Sequence, residues 1–203
     1  MTVLVINYGM GNLASVGRAF EECGATVSIS DDPRDLDTAD RIVLPGVGAF
    51  PDGMRNLLIA GWSDKLREVL RNPEVKLLGI CLGMQLLAEV GHEGAVTPGL
   101  GFIPGKVKRF IPLNGERVPH VGWNEINASH SHPLLHAIPD GTDFYFVHSY
   151  HFEASRETDV LATTQYCGNF NAIVASGNIF GMQFHPEKSS KQGFQLIRNF
   201  LAL

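Results

Sequence analysis

The first half of the chain repeats one pattern, a short apolar run followed by a stretch that reads as helix. Val3-Leu4-Val5-Ile6 is apolar without alternation, which suits a strand buried on both faces. Asn12 to Cys23 reads as a helix, and Gly24 stops it. Thr26 to Ser30 and Arg41 to Leu44 read as strands, the second ended by Pro45-Gly46. Met54 to Leu70 reads as helical, with Gly61 as the weak point. Lys76 to Ile80 reads as a strand and Leu82 to Val90 as a helix. Strand then helix, repeated, demands a parallel sheet with helices on both faces, because parallel strands need a crossover connection.

The second half changes character. Phe102 to Trp123 is rich in Gly, Pro and β-formers and reads as hairpin-like strands. Phe144 to His148 and Val160 to Thr164 read as strands. Ala172 to Ala175 and Ile179 to Phe184 read as a hairpin turning at Ser176-Gly177-Asn178. Gly193 to Leu203 closes as a helix. The expectation is one α/β domain over residues 1–203, with a mixed, mostly parallel sheet flanked by helices.

A chain of 203 residues can bury a core without disulfide staples. With 44% apolar and 18% charged residues it is not a disordered chain. Its net charge of −5 leaves no basic excess for phosphates, so nucleic-acid binding is not expected. Three cysteines, Cys23, Cys81 and Cys167, imply no disulfide framework and point to a reducing compartment. Met1 to Asn7 has no basic segment, so no secretory signal is expected. Leu77 to Ala88 is too short to span a bilayer, and the expected location is cytoplasmic.

Gly79-Ile80-Cys81-Leu82-Gly83 is G-x-C-x-G between a strand and a helix. The same layout with serine is a nucleophile elbow: the turn is tight, so its neighbours must be small, and the nucleophile is lifted clear of the backbone. A buried structural cysteine is the competing reading. A nucleophilic cysteine needs a base, and the base needs an orienting acceptor. His185-Pro186-Glu187 offers both. Pro186 pushes His185 toward extended backbone, where residues i and i+2 share a side, so Glu187 can hold the imidazole. A solvated loop is the alternative for that tripeptide. Pro45-Gly46-Val47-Gly48 follows a strand, and an N–H from it, with that of Leu82, would make an oxyanion hole. An ordinary turn is the plainer reading of that loop.

A rival signal lies near the start. Gly9-Met10-Gly11-Asn12-Leu13-Ala14 fits G-x-G-x-x-G/A, with Asp31 about 20 residues on, the outline of a dinucleotide site. An NAD-binding oxidoreductase is therefore the alternative function. It leaves the cysteine elbow and His-Pro-Glu unexplained, and Asn7 and Tyr8 crowd the turn. A non-catalytic partner-binding subunit and a small cysteine hydrolase are further readings. His130, His132, His148 and His151 find no Cys or carboxylate at metal-ligand spacing, so they read as solvated loop histidines and no metal is expected.

Gly-Ile-Cys-Leu-Gly-Met-Gln (79–85), Pro-Gly-Val-Gly-Ala-Phe (45–50) and Gln-Phe-His-Pro-Glu-Lys-Ser (183–189) resemble class I glutamine amidotransferases, which have a flavodoxin-like fold. Asn-Tyr-Gly-Met-Gly-Asn-Leu (7–13), Pro-His-Val-Gly-Trp-Asn (119–124) and Phe-Tyr-Phe-Val-His-Ser-Tyr (144–150) narrow the resemblance to the glutaminase subunits of imidazole glycerol phosphate synthases, of histidine biosynthesis. A glutaminase subunit of another amidotransferase is the nearer alternative. The similarity runs nearly end to end. His151 departs from it, since the family commonly has another residue there.

The resemblance implies that Cys81 is the nucleophile, His185 the base and acid, and Glu187 the orienting carboxylate. It implies that Gln85, Glu93, Ser149 and Tyr150 hold L-glutamine, with Gly48 nearby. Asn12, Trp123 and Tyr145 match positions facing the partner. That partner would be a synthase (cyclase) subunit, a (β/α)8 barrel, forming a heterodimer that receives ammonia. No cofactor is implied. Val47 would give the second oxyanion N–H, from a strand that in the family switches orientation when the partner is loaded.

Overall fold

A computed structural model describes all residues, Met1–Leu203. In the first half the elements are β1 (Thr2–Ile6), α1 (Leu13–Glu22), β2 (Thr26–Ser30), β3 (Arg41–Leu44), α2 (Phe50–Ile59), α3 (Trp62–Val69), β4 (Lys76–Ile80) and α4 (Leu82–Leu86). In the second half they are β5 (Val90–Glu93), β6 (Ala95–Pro98), β7 (Gly105–Arg109), β8 (His120–Ala128), β9 (Thr142–His148), β10 (Tyr150–Ala154), β11 (Val160–Gln165), β12 (Asn169–Ser176), β13 (Ile179–Met182) and α5 (Ser190–Ala202).

The unbroken apolar runs are buried on both faces, as their lack of alternation requires. Val3 and Val5 of β1 pack with Phe20 of α1 and Phe200 of α5. Leu4 and Ile6 pack on the other side, with Leu57 of α2 and with Trp62 and Leu66 of α3. Each such fully buried side chain contributes about 1.5–3 kcal/mol.

The main sheet runs β2-β1-β3-β4-β13-β12-β11-β8-β9. Its start, 2-1-3-4, is the flavodoxin-like order. The expected "mostly parallel" sheet is corrected by the pairing. The ladder is parallel from β2 to β13 and antiparallel from β13 to β9, four pairings of each kind. The hairpin between β12 and β13 is as expected, with Ser176 paired to Ile179 across Gly177-Asn178.

A second, four-stranded sheet, β10-β7-β5-β6, was not expected. It corrects two readings. The helix expected to reach Val90 ends at Leu86, because Leu86, Leu87 and Ala88 turn their carbonyls to the N–H groups of Leu100 to Ile103. The strands inside Phe102–Trp123 do not pair with each other: β7 pairs with β10 and β5, and β8 with β9. The helix expected over Met54–Leu70 starts earlier, at Phe50, and Gly61 divides it at φ +80°.

Candidate active site

The loops after β1, β3 and β4 leave the same edge of the parallel sheet, where ligands of open α/β sheets bind. Between β4 and α4 a single residue, Cys81, makes the turn. Its φ of 54° and ψ of −109° are rare for a residue with a side chain and cost about 1–3 kcal/mol. The Cys81 N–H donates to Met182 O at 2.8 Å, and Cys81 O accepts from the Gln85 N–H at 3.2 Å. The flanking glycines are sterically required. A Cβ on Gly79 would lie 2.6 Å from Gly83 O, and one on Gly83 would overlap the Leu44 carbonyl.

The extended chain past β13 brings His185 to this elbow. His185 has φ −98° and ψ 96°, and its N–H donates to Tyr145 O at 3.0 Å. Its Nδ1 meets Glu187 Oε1 at 2.8 Å, with both side chains almost wholly buried. The i, i+2 geometry expected of His-Pro-Glu is present. Nε2 has no well-formed hydrogen bond but lies close enough to the Cys81 sulfur to interact with it. Burial alone would push His185 down; the sulfur and the Glu187 carboxylate outweigh it and push it up to about 10.

A cavity of about 340 Å³ opens over Cys81. Its lining takes in Val47, Gly48, Leu82, Gln85, Glu93 and His185. Val147, His148, Ser149 and Tyr150 complete it. Gln85 donates through Nε2 to Tyr150 O at 2.8 Å and to Gln183 Oε1 at 3.1 Å. Glu93 Oε2 accepts from the Phe50 N–H at 2.7 Å, so this carboxylate also caps α2. Gly48 has φ +122°, and a Cβ there would sit 2.5 Å from the Met10 side chain.

One expectation is not met in this conformation. The Leu82 N–H donates to Gly46 O at 3.3 Å. The carbonyl therefore sits where an oxyanion would bind. Across a planar trans peptide the Val47 N–H points the opposite way. The Val47 and Leu82 donors converge only if the Gly46–Val47 peptide turns over.

Asn12, Trp123 and Tyr145 lie outside the cavity. Asn12 caps α1, accepting from the Ser15 N–H at 3.3 Å. Trp123 is 53% exposed and meets Tyr145 edge-on, with ring centroids 6.1 Å apart. Val121 and Val147, paired across β8 and β9, extend this exposed apolar strip. The Gly9–Ala14 loop packs beside Asn56 and Pro45 and does not line the cavity. A larger cavity, about 670 Å³, beside the C-terminal end of α5 contains no cysteine.

Sequence reasoning missed three residues. His148 and His151 were read as solvated but are buried. Alternation carried the signal for His148, which shares a face with Phe144 and Phe146. Gln183 is wholly buried, and its Nε2 points at Cys81 Sγ at 3.9 Å.

The family model for glutamine amidotransferase class-I matches residues 4–203. The imidazole glycerol phosphate synthase subunit HisH of Moorella thermoacetica is 47% identical over 98% of this chain and 93% of its own length. The subunit HisH 1 of the same synthase from Campylobacter jejuni (strain RM1221) is 44% identical over 99% of this chain and all of its own length. Among solved structures, a crystal structure of a glutamine amidotransferase superposes with a TM-score of 0.77 at 19% identity, covering 98% of this chain and 97% of that one. The comparisons lend nothing to a dinucleotide-binding reading. By sequence over nearly its whole length, and by fold, the chain belongs to the glutamine amidotransferase class-I family, among the relatives of the HisH subunits.

Proposed function

We propose that this chain is the glutaminase subunit of an imidazole glycerol phosphate synthase. It hydrolyses L-glutamine to L-glutamate and ammonia and passes the ammonia to a synthase (cyclase) subunit for L-histidine biosynthesis. The carrying observation is that Cys81, His185 and the proposed glutamine-holding residues all border one cavity, with Glu187 on the far side of the His185 ring.

Cys81 attacks the side-chain amide carbon of glutamine, and the negative charge moves to the amide oxygen. His185 Nε2, protonated, gives its proton to the departing nitrogen, so ammonia leaves and a thioester remains. His185 then takes a proton from water, hydroxide adds to the thioester carbon, and glutamate leaves with the thiolate restored. Glu187 holds the ring through Nδ1 and stabilises its charged form. The oxyanion needs two donors, and Leu82 N–H is occupied by Gly46 O. This is the resting state of a gated enzyme. Docking of the synthase on the strip of Val121, Trp123, Tyr145 and Val147, and on Asn12, would turn the peptide. We propose a (β/α)8 barrel partner, a heterodimer and a cytoplasmic setting, in keeping with three free cysteines.

A glutamine-analogue electrophile tests the assignment. It should label Cys81 and spare the partly buried Cys23 and Cys167, and Cys81→Ala should abolish glutamine hydrolysis without lowering the melting temperature by more than a few degrees. Equal labelling of all three thiols would sink the assignment.

A further inference from the structure

Beneath the exposed strip, on the inward face of β8 and β9, a buried hydrogen-bond chain leads to the glutamine pocket. Asn124 Nδ2 lies 3.2 Å from His120 Nε2. His120 Nδ1 lies 3.1 Å from His148 Nε2, its cross-strand partner. His148 Nδ1 lies 2.8 Å from Tyr150 O. The same carbonyl accepts from Gln85 Nε2 at 2.8 Å.

The two ends fix the direction of every bond. A carbonyl only accepts, so His148 carries its proton on Nδ1. Its Nε2 is then an acceptor, so His120 also carries its proton on Nδ1, and His120 Nε2 accepts. At the far end, Asn124 Oδ1 accepts from the Glu125 N–H and its Nδ2 donates to Gln165 O, which independently presents an N–H to His120. A second proton on either ring would set an N–H of His120 against the N–H of Asn124. Both rings are therefore neutral. Burial acts the same way, pushing His120 down to about 4 and His148 to about 3. His120 is clamped by stacking on Tyr166 and Phe146, at 3.9 and 4.9 Å between centroids.

The consequence falls on Gln85. Both lone pairs of Tyr150 O are taken, so this carbonyl has none left for substrate. Gln85 spends its N–H donors on Tyr150 O and on Gln183 Oε1. Its Oε1 is left as an acceptor at the cavity. An amino acid substrate brings an α-ammonium, a group that only donates, and Glu93, which also lines the cavity, supplies the opposite charge. Turning the Gln85 amide over would set oxygen against oxygen at two places.

We propose that Asn124, His120 and His148 are positioning residues for glutamine: their one-directional chain fixes the Tyr150 carbonyl, and through it holds the Gln85 amide with its oxygen toward the substrate ammonium. The proposal rests on the glutaminase reading.

The test uses the full chain assembled with its synthase subunit. His148→Phe keeps a buried ring but removes the donor. It should raise the KM for glutamine by about 10-fold, the scale of one unsatisfied buried group, with a smaller fall in kcat. His148→Asn places an N–H where Nδ1 was and should recover most of that loss. Nitrogen-15 spectra of the wild-type chain should show both rings neutral and protonated on Nδ1 at neutral pH. A wild-type KM in a folded His148→Phe, or an Nε2–H tautomer for either ring, overturns the proposal alone. Absence of glutamine hydrolysis in the wild-type complex overturns the glutaminase reading and the proposal with it.

Discussion

The elbow after β4 and the loop after β3 lie side by side on one cavity, built by neighbouring strands of one sheet, yet they stand in different states. At the elbow every group stands where the proposed mechanism needs it. Cys81 is strained upward, His185 is held by Glu187, and the flanking glycines leave no room for another arrangement. In the loop one peptide points the wrong way, its carbonyl bonded to the Leu82 N–H. The difference is one of packing. The elbow's alternatives are excluded by backbone contacts, whereas Val47 is half exposed and turning its peptide exchanges only one long hydrogen bond. The structure thus separates a sterically fixed cysteine elbow from a loop peptide held by one hydrogen bond, the proposed nucleophile and the proposed electrostatic part.

Breaking the fixed side should cost most. His185→Asn removes the proposed proton carrier of both half-reactions, and turnover in the complex should fall by about 10²–10⁴-fold. Glu187→Gln keeps an oxygen for Nδ1 but loses the charge, so its fall should be smaller. Steady-state rates in which Glu187→Gln is the more damaged variant would reverse the roles given to these residues.

The movable side is sharpened by a pair of variants. Val47→Ala keeps the N–H and should keep most partner-stimulated activity. Val47→Pro removes it and should cost about 2.7–4 kcal/mol in turnover, the scale of one lost oxyanion donor. Melting curves of the two should differ far less. Equal turnover would reduce this loop to a simple turn.

The smallest effect concerns stability and separates two kinds of buried histidine. His185 is raised, so its contribution is complete below the unfolded value of about 6.5 and is lost as pH rises toward about 10. His120, His148 and His151 are lowered by burial, to about 4, 3 and 4. They fold neutral, so their contribution is present above pH ~6.5 and is lost as pH falls through the acid range, by up to about 1.4 kcal/mol per pH unit for each. His151 stacks on Phe110 at 4.7 Å and its Nδ1 has no partner, so His151→Phe should flatten the acid limb of stability against pH. An unchanged acid limb would mean that this ring is already charged in the fold.

Local rules made the parallel half legible. Apolar runs, the stop at Gly24, the break at Gly61 and the two-residue turn at Gly177-Asn178 are all decided within a few residues. The elbow was legible for the same reason, since tight turns name their glycines. What was not legible depends on distant partners. The helix after Cys81 stops at Leu86 because a segment some fifteen residues on claims its last carbonyls. Strands β7 and β8 pair with β10 and β9, about 45 and 20 residues away, respectively. The polarity of His148 suggests a loop, whereas its alternation with Phe144 and Phe146 sets it on the inward face of β9.

In the proposed mechanism the catalytic residues are preset while the oxyanion peptide waits for the partner. Glutaminase turnover of the chain should therefore be measured alone, and again with the synthase subunit and its nucleotide ligand. Hydrolysis should be poor alone and rise by at least ~100-fold in the loaded complex, equivalent to about 2.7 kcal/mol of barrier. Full turnover by the isolated chain would contradict that mechanism.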